Sequence, residues 1–180
     1  TSGWVVAVAN TYSNARKAAD ALKISYDKGP HAGVSTDTII TEAMRLQAQE
    51  DSGQFFVKEG DPTAALTGAA KVLEAEYPPS NNIHAPLEPM NATAGFKGDI
   101  LHIYTGNQFA TRSGAIAAGA AGIDPKFVVM HQAWLGGGFG RRLDADMMIP
   151  AVQAAKAVGK PVKVIYTREN DMTMDYSRPL

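Results

Sequence analysis

Four of the five residues in Gly136-Gly137-Gly138-Phe139-Gly140 are glycine, and this run is the strongest chemical signal in the chain. Glycine admits backbone conformations and close approaches that side chains forbid. Exposed N–H groups in such a loop can receive an anion or a bulky cofactor. The run reads equally as a tight connection between two elements. Two familiar phosphate patterns do not fit. The dinucleotide fingerprint needs glycine where Arg141 stands, and no Gly-Lys-Ser/Thr follows for a phosphate loop. Arg141 and Arg142, directly after the run, can hold a phosphate or pyrophosphate, although a solvated helix start is the commoner use of such a pair.

The other chemistry-bearing residues are scattered. Gln108 lies in a Gly-Asn-Gln turn, where an amide usually caps local backbone. His84 and Glu88 are four apart, but Pro86 between them denies the helix that would aim both at one metal. His31, His102 and His131 have no partners at ligand spacing, so no protein-held metal is expected. No G-x-S-x-G nucleophile turn is present. Asp144 and Asp146 are expected to balance a helix N-terminus, and Glu74 and Glu76 to line a solvated strand face.

Composition narrows the classes. Of 180 residues 45% are apolar and the net charge is −1, which argues against disorder and gives no footprint for nucleic acid. The absence of cysteine removes disulfides, thiolate metal sites and thiol catalysis together. No stretch approaches the roughly 20 apolar residues of a membrane span. The chain opens on Thr1-Ser2-Gly3 and runs at once into Trp4-Val5-Val6-Ala7-Val8, which reads as a cut inside a longer protein.

The elements that must position these residues follow from periodicity and punctuation. Strands are expected at 4–9, 23–26, 54–57, 71–77, 99–105, 127–130 and 161–166. Helices are expected after Thr11 or Ser13, after Ser35, after Asp61-Pro62, and over 111–121. A further helix should span about 144–158, kinked or delayed by Pro150 and stopped by Gly159 and Pro161. The main internal boundary is expected near Pro78-Pro79. The fold class is α+β, a mixed α and β arrangement whose strand order is not legible.

Several segments together resemble one family. His84-Ala85-Pro86-Leu87-Glu88-Pro89-Met90-Asn91-Ala92-Thr93-Ala94, the Gly136–Gly140 loop, Gln108 28 positions before Gly136, and Arg168-Glu169-Asn170-Asp171-Met172 resemble the xanthine dehydrogenase and aldehyde oxidase superfamily of molybdenum hydroxylases. The resemblance covers essentially the whole chain. Gly140-Arg141-Arg142 is similar to the isoquinoline 1-oxidoreductase beta-subunit branch. Leu143 stands where xanthine-type members carry a purine-holding glutamate, which argues against a purine substrate.

The resemblance implies a molybdopterin cofactor in the complete protein, with the cytosine dinucleotide form as one option and none expected on this chain alone, whose pterin dithiolene holds the metal without cysteine. It implies that the Gln108 amide donates a hydrogen bond to a molybdenum oxo ligand, and that Gly136, Gly137, Gly138, Phe139, Gly140 and Arg141 form the cofactor-facing loop. Residues 1–78 would be the end of a hammerhead-type lobe with its connecting segment, and 79–180 the opening of the cofactor domain. The implied reaction oxidises N-heterocycles or aldehydes with water as oxygen source and passes electrons to a separate iron–sulfur subunit. The family's catalytic glutamate has no match here, so the chain alone is expected to be inactive. A phosphate- or nucleotide-binding module using 136–142 and a non-catalytic interaction domain stay open as alternatives, as does the compartment.

Overall fold

The computed structural model describes residues 4–49, 53–57, 59–78 and 80–177. The chain divides into two compact units, one made of Ile83–Ser177 with the segment ending at Ser25, the other of Tyr26–Asn82.

The first unit is built on a four-stranded sheet of β1 (Asn91–Lys97), β2 (Ile100–Thr105), β3 (Val128–Gln132) and β4 (Val162–Ile165) in the order β3-β2-β1-β4. A tight turn with Gly98 at φ +59° joins β1 to β2 as an antiparallel hairpin, placing Ala94 opposite Ile103. β2 and β3 run parallel, so the chain must cross over between them. Helix α4 (Ala110–Ala121) makes that crossover, and α5 (Met148–Val158) leads from β3 to β4.

The strands alternate in burial, as a sheet covered on one face requires. Ala92, Ala94, Leu101 and Ile103 are fully buried on the covered face. Against them lie Ala117 and Ala121 of α4 and Met148, Ala151, Val152 and Ala155 of α5. The small residues let both helices approach the strands closely. Both helices end in a left-handed glycine, Gly122 and Gly159. Lys156 donates to the carbonyl of Ala121 at 2.7 Å, tying one helix terminus to the other. Pro150 is the third residue of α5, where its missing N–H leaves no intrahelical bond unmade. The helix is therefore delayed to Met148, and Asp144 and Asp146 precede it.

Several expected strands are not formed. Residues 4–9 are unpaired, with Val5, Val6 and Val8 exposed. Only Trp4 packs inward, its ring 6.1 Å from that of Tyr166. Helix α1 (Tyr12–Asp20) follows, capped by Thr11, which accepts from Asn14 N at 3.3 Å. Residues 23–26, 54–57 and 71–77 also lack strand pairing. Apolar alternation marks a face, but a strand also needs a partner edge for its backbone groups. The second unit holds α2 (Thr36–Gln47), with a Ser35–Thr38 capping box, and α3 (Pro62–Thr67), capped by Asp61. Pro79 of the double proline lies outside the described residues. Among the described residues no helix is long and apolar enough to cross a membrane. A short helix α6 (Arg168–Thr173), capped by Thr167, closes the described chain.

Candidate active site

The glycine run links β3 to α5 and is held on three sides. The first anchor is Glu88. Its Oε2 accepts from Gly136 N at 2.8 Å, and its own N–H donates to the carbonyl of Gly136 at 3.1 Å. A Cβ on Gly136 would sit 2.7 Å from Glu88 Cβ, so no side chain fits there.

Gln108 is the second anchor. Its Oε1 accepts from Gly140 N at 3.1 Å and from Arg142 N at 3.3 Å. A Cβ on Gly138 would fall 2.5 Å from that oxygen. Backbone N–H groups only donate, so they fix which end of the amide faces the loop. The Nε2 amine is thereby turned away, and it has no partner among the described residues. The expectation that Gln108 caps local backbone is corrected. Asn107 does that work, accepting from Phe109 N at 3.0 Å and donating to Gln132 Oε1 at 2.7 Å. Gln108 reaches across to a loop more than thirty residues away.

Arg142 is the third. It is fully buried and spends its guanidinium inward. Nε donates to Gly137 O at 2.8 Å, Nη1 to Gly106 O at 3.2 Å, and Nη2 to Glu88 O and Oε2 at 2.9 and 2.8 Å. Burial pushes its pKa down, against the opposing pull of the Glu88 carboxylate. Burial works against the Glu88 charge too, yet the Gly136 N–H, Asn91 and Arg142 together hold its carboxyl below the usual range.

Arg141 is also fully buried and points into a different cluster. It grips Asp146 with both terminal nitrogens at 2.7 and 2.8 Å, and its Nε lies 3.2 Å from Asp175 Oδ1. Its guanidinium covers the Tyr176 ring at 5.0 Å. Burial opposes its charge, but Asp146 and Asp175 raise its pKa. The solvated helix start expected for this pair is corrected. Residues Arg141–Leu143 form a buried 3-10 turn, and neither guanidinium is available to an external phosphate. Asp146, just before α5, is also the partner of Arg141.

His84 belongs to the same cluster. Its Nδ1 lies 2.8 Å from Asp175 Oδ1, and its backbone N–H donates to the other oxygen of that carboxylate. Burial works against the Asp175 charge, but the hydrogen bonds from His84 hold its carboxyl low. His102 Nδ1 and His131 Nε2 are 2.9 Å apart on the neighbouring strands β2 and β3, a pairing invisible in their sequence spacing. No group of three or more His, Asp or Glu among the described residues could hold a metal ion.

Among the described residues two that are not glycine adopt positive φ, Ala85 at +40° and Phe139 at +54°. Such conformations cost of order 1–3 kcal/mol and persist where the surroundings over-determine them. Phe139 is in this loop, and Ala85 precedes Pro86, which stands against Gly137. Phe139 is 76% exposed, and Leu87 and Trp134 are 88% and 100% exposed. A cleft of about 480 Å³ lies elsewhere, between residues 4–12 and β4, and includes no residue of the glycine run.

A loop packed against Glu88 and Gln108 thus lies beside one oriented amide donor. Comparison with known proteins identifies the family. The family model described as the molybdopterin cofactor-binding domain matches residues 46–179. A membrane-bound aldehyde dehydrogenase [pyrroloquinoline-quinone] of Gluconacetobacter polyoxogenes is 37% identical over 177 residues, 98% of this chain and 23% of that protein. The isoquinoline 1-oxidoreductase beta subunit of Brevundimonas diminuta is 40% identical over 89 residues, 49% of this chain and 11% of its own length. The chain thus spans about a quarter or less of these relatives. The solved aldehyde oxidoreductase of Desulfovibrio gigas superposes with a TM-score of 0.75 over 94% of this chain and 19% of that one, at 23% identity, a likeness of fold. The chain belongs to the molybdopterin cofactor-binding domain family, within the xanthine dehydrogenase and aldehyde oxidase superfamily.

Proposed function

We propose that this chain supplies the glycine-loop wall of the active site in the molybdopterin-binding subunit of a molybdenum hydroxylase acting on N-heterocycles or aldehydes. The observation that carries the reading is the Gln108 amide. Two backbone donors fix its oxygen inward, leaving an amine donor beside a loop held close by Glu88 and by Gln108 itself. That oriented donor suits an oxygen-bearing group of the kind the family binds.

In this reading Gly136, Gly137, Gly138, Phe139, Gly140 and Arg141 present their backbone to the cofactor, and the Gln108 amine donates a hydrogen bond to it. The side chain of Arg141 acts from behind, bracing the loop through Asp146 and Asp175. When bound, the cofactor supplies the two-electron redox chemistry and the oxygen drawn from water. The protein's part is orientation: a donor aimed before the reaction begins costs no reorganisation during it. Exposed Phe139, Leu87 and Trp134 give a flat aromatic or aldehyde substrate an apolar approach. The cytosine dinucleotide form of the cofactor, an iron–sulfur partner subunit, and a division into a hammerhead-type lobe over 1–78 and a cofactor lobe over 79–180 belong to the same proposal.

The phosphate-binding alternative loses its two cations to internal partners. The test is Gln108→Ala in the complete subunit. Removing one preorganised donor should slow turnover by about 10²-fold while molybdenum content stays at the parental level. Full turnover in that variant counts against the role.

A further inference from the structure

Besides the Gln108 amine, a second polar atom at the loop has no hydrogen-bond partner among the described residues, Nε2 of His84. His84 stands against Gly140, with Nε2 3.4 Å from where a Cβ on that glycine would be. Gly140 has φ +105° and donates its N–H to Gln108. The histidine approaches the loop from a second direction and does so rigidly. Its side chain is 16% exposed and that of Asp175 only 2%. The Asp175 carboxylate receives the backbone N–H of His84, Ala85 and Tyr176 and the Arg141 contact as well. A carboxylate held so strongly as an acceptor requires a proton on the nitrogen facing it. Nδ1 therefore carries a hydrogen, and Nε2 is the ring nitrogen turned toward Gly140. No hydrogen bond is made to that atom among the described residues.

The same carboxylate holds Ala85 at its positive φ, so backbone strain and imidazole orientation have one cause. An elaborate anchor on one nitrogen with nothing on the other is the arrangement used to aim an imidazole at a ligand.

The geometry points to His84 as a positioning residue whose Nε2 would hydrogen-bond the cofactor bound beside Gly140. This rests on the cofactor reading above. Gln108 and His84 would then hold the cofactor from two directions. Asp175 acts through His84 by fixing the orientation of the ring.

The test uses two isosteres in the complete subunit, with molybdenum and pterin followed during dialysis and thermal unfolding measured alongside. Asparagine places its amide near Nδ1 and can still donate to Asp175, but offers nothing at the outward position. Glutamine places its amide near Nε2 and can hydrogen-bond there, but gives up the carboxylate. The inference expects His84→Asn to lose cofactor about fivefold faster than the parent, the effect of one hydrogen bond, with its unfolding temperature little changed. His84→Gln should retain cofactor better than His84→Asn. A purely structural histidine predicts the reverse order, and that order overturns the inference. A folded His84→Gln that releases cofactor as fast as His84→Asn overturns it as well. A parent subunit with neither molybdenum nor pterin refutes the cofactor reading itself and this inference with it.

Discussion

Gly138→Ala isolates the relation between the loop and Gln108. The new Cβ would lie 2.5 Å from Gln108 Oε1, 2.8 Å from Cδ and 3.4 Å from Cγ, and these are its three nearest contacts. Gly138 is not among the positive-φ residues, so alanine adds no backbone strain. The clash is wholly with the end of one flexible side chain, which can rotate away. What is lost is then the pair of hydrogen bonds at 3.1 and 3.3 Å that Oε1 accepts. At about 0.5–1.5 kcal/mol each, the cost should be about 1–3 kcal/mol of stability, with the amide swung out of place. In a Gln108→Ala background all three contact atoms are gone, so adding Gly138→Ala should cost almost nothing further. Denaturant unfolding of the four proteins of this cycle, made in the complete chain, measures the coupling directly. Costs that add to within about 0.5 kcal/mol would refute the claim that Gln108 and Gly138 share one space.

Other consequences follow from the same contacts. Gly136→Ala should destabilise more than Gly138→Ala, because its Cβ meets Glu88 Cβ, an atom fixed to the backbone, at 2.7 Å; unfolding midpoints of the two variants decide the order. Arg141→Met strands Asp146 and Asp175 without their cation and should cost about 3–5 kcal/mol, with Arg141→Lys a poor substitute because it cannot form the two-pronged bond. Stability should also fall in acid. Glu88 and Asp175 both have depressed folded pKa values, so their contribution is present above the ordinary carboxyl values of 4.5 and 3.8 and is lost as pH drops through the folded ones. Urea midpoints measured downward from pH 6 should decline across that window, and Glu88→Gln should flatten the decline.

The sequence showed the punctuation of the fold better than its pairing. Thr11, Ser35 and Asp61 cap helices as expected, and Gly122 and Gly159 end them. The strands around 100–105, 128–132 and 162–165 were legible because branched and long apolar residues mark them. β1 was not legible: its buried positions are Ala92 and Ala94 and its other face carries Thr93 and Gly95, small residues that give no hydrophobic signal. The unpaired stretches at 4–9 and 71–77 failed in the opposite way, having the pattern without a partner edge.

At the site, the glycine run and Gln108 were identifiable, but the roles of the charges were not. Arg141 and Arg142 resemble surface residues by type, because Glu88, Asp146 and Asp175, which make their burial tolerable, stand 54, 5 and 34 positions away. His84 has its partner 91 positions on. Burial of charge is a property of the folded pairing, and local patterns do not carry it.

We propose that this loop faces a molybdenum-bearing pterin, and the molybdenum and pterin content of the complete subunit, expressed in a host able to make the cofactor, tests it. About one molybdenum per chain, with pterin in equal amount, is expected. Well-folded protein containing neither would contradict the proposal.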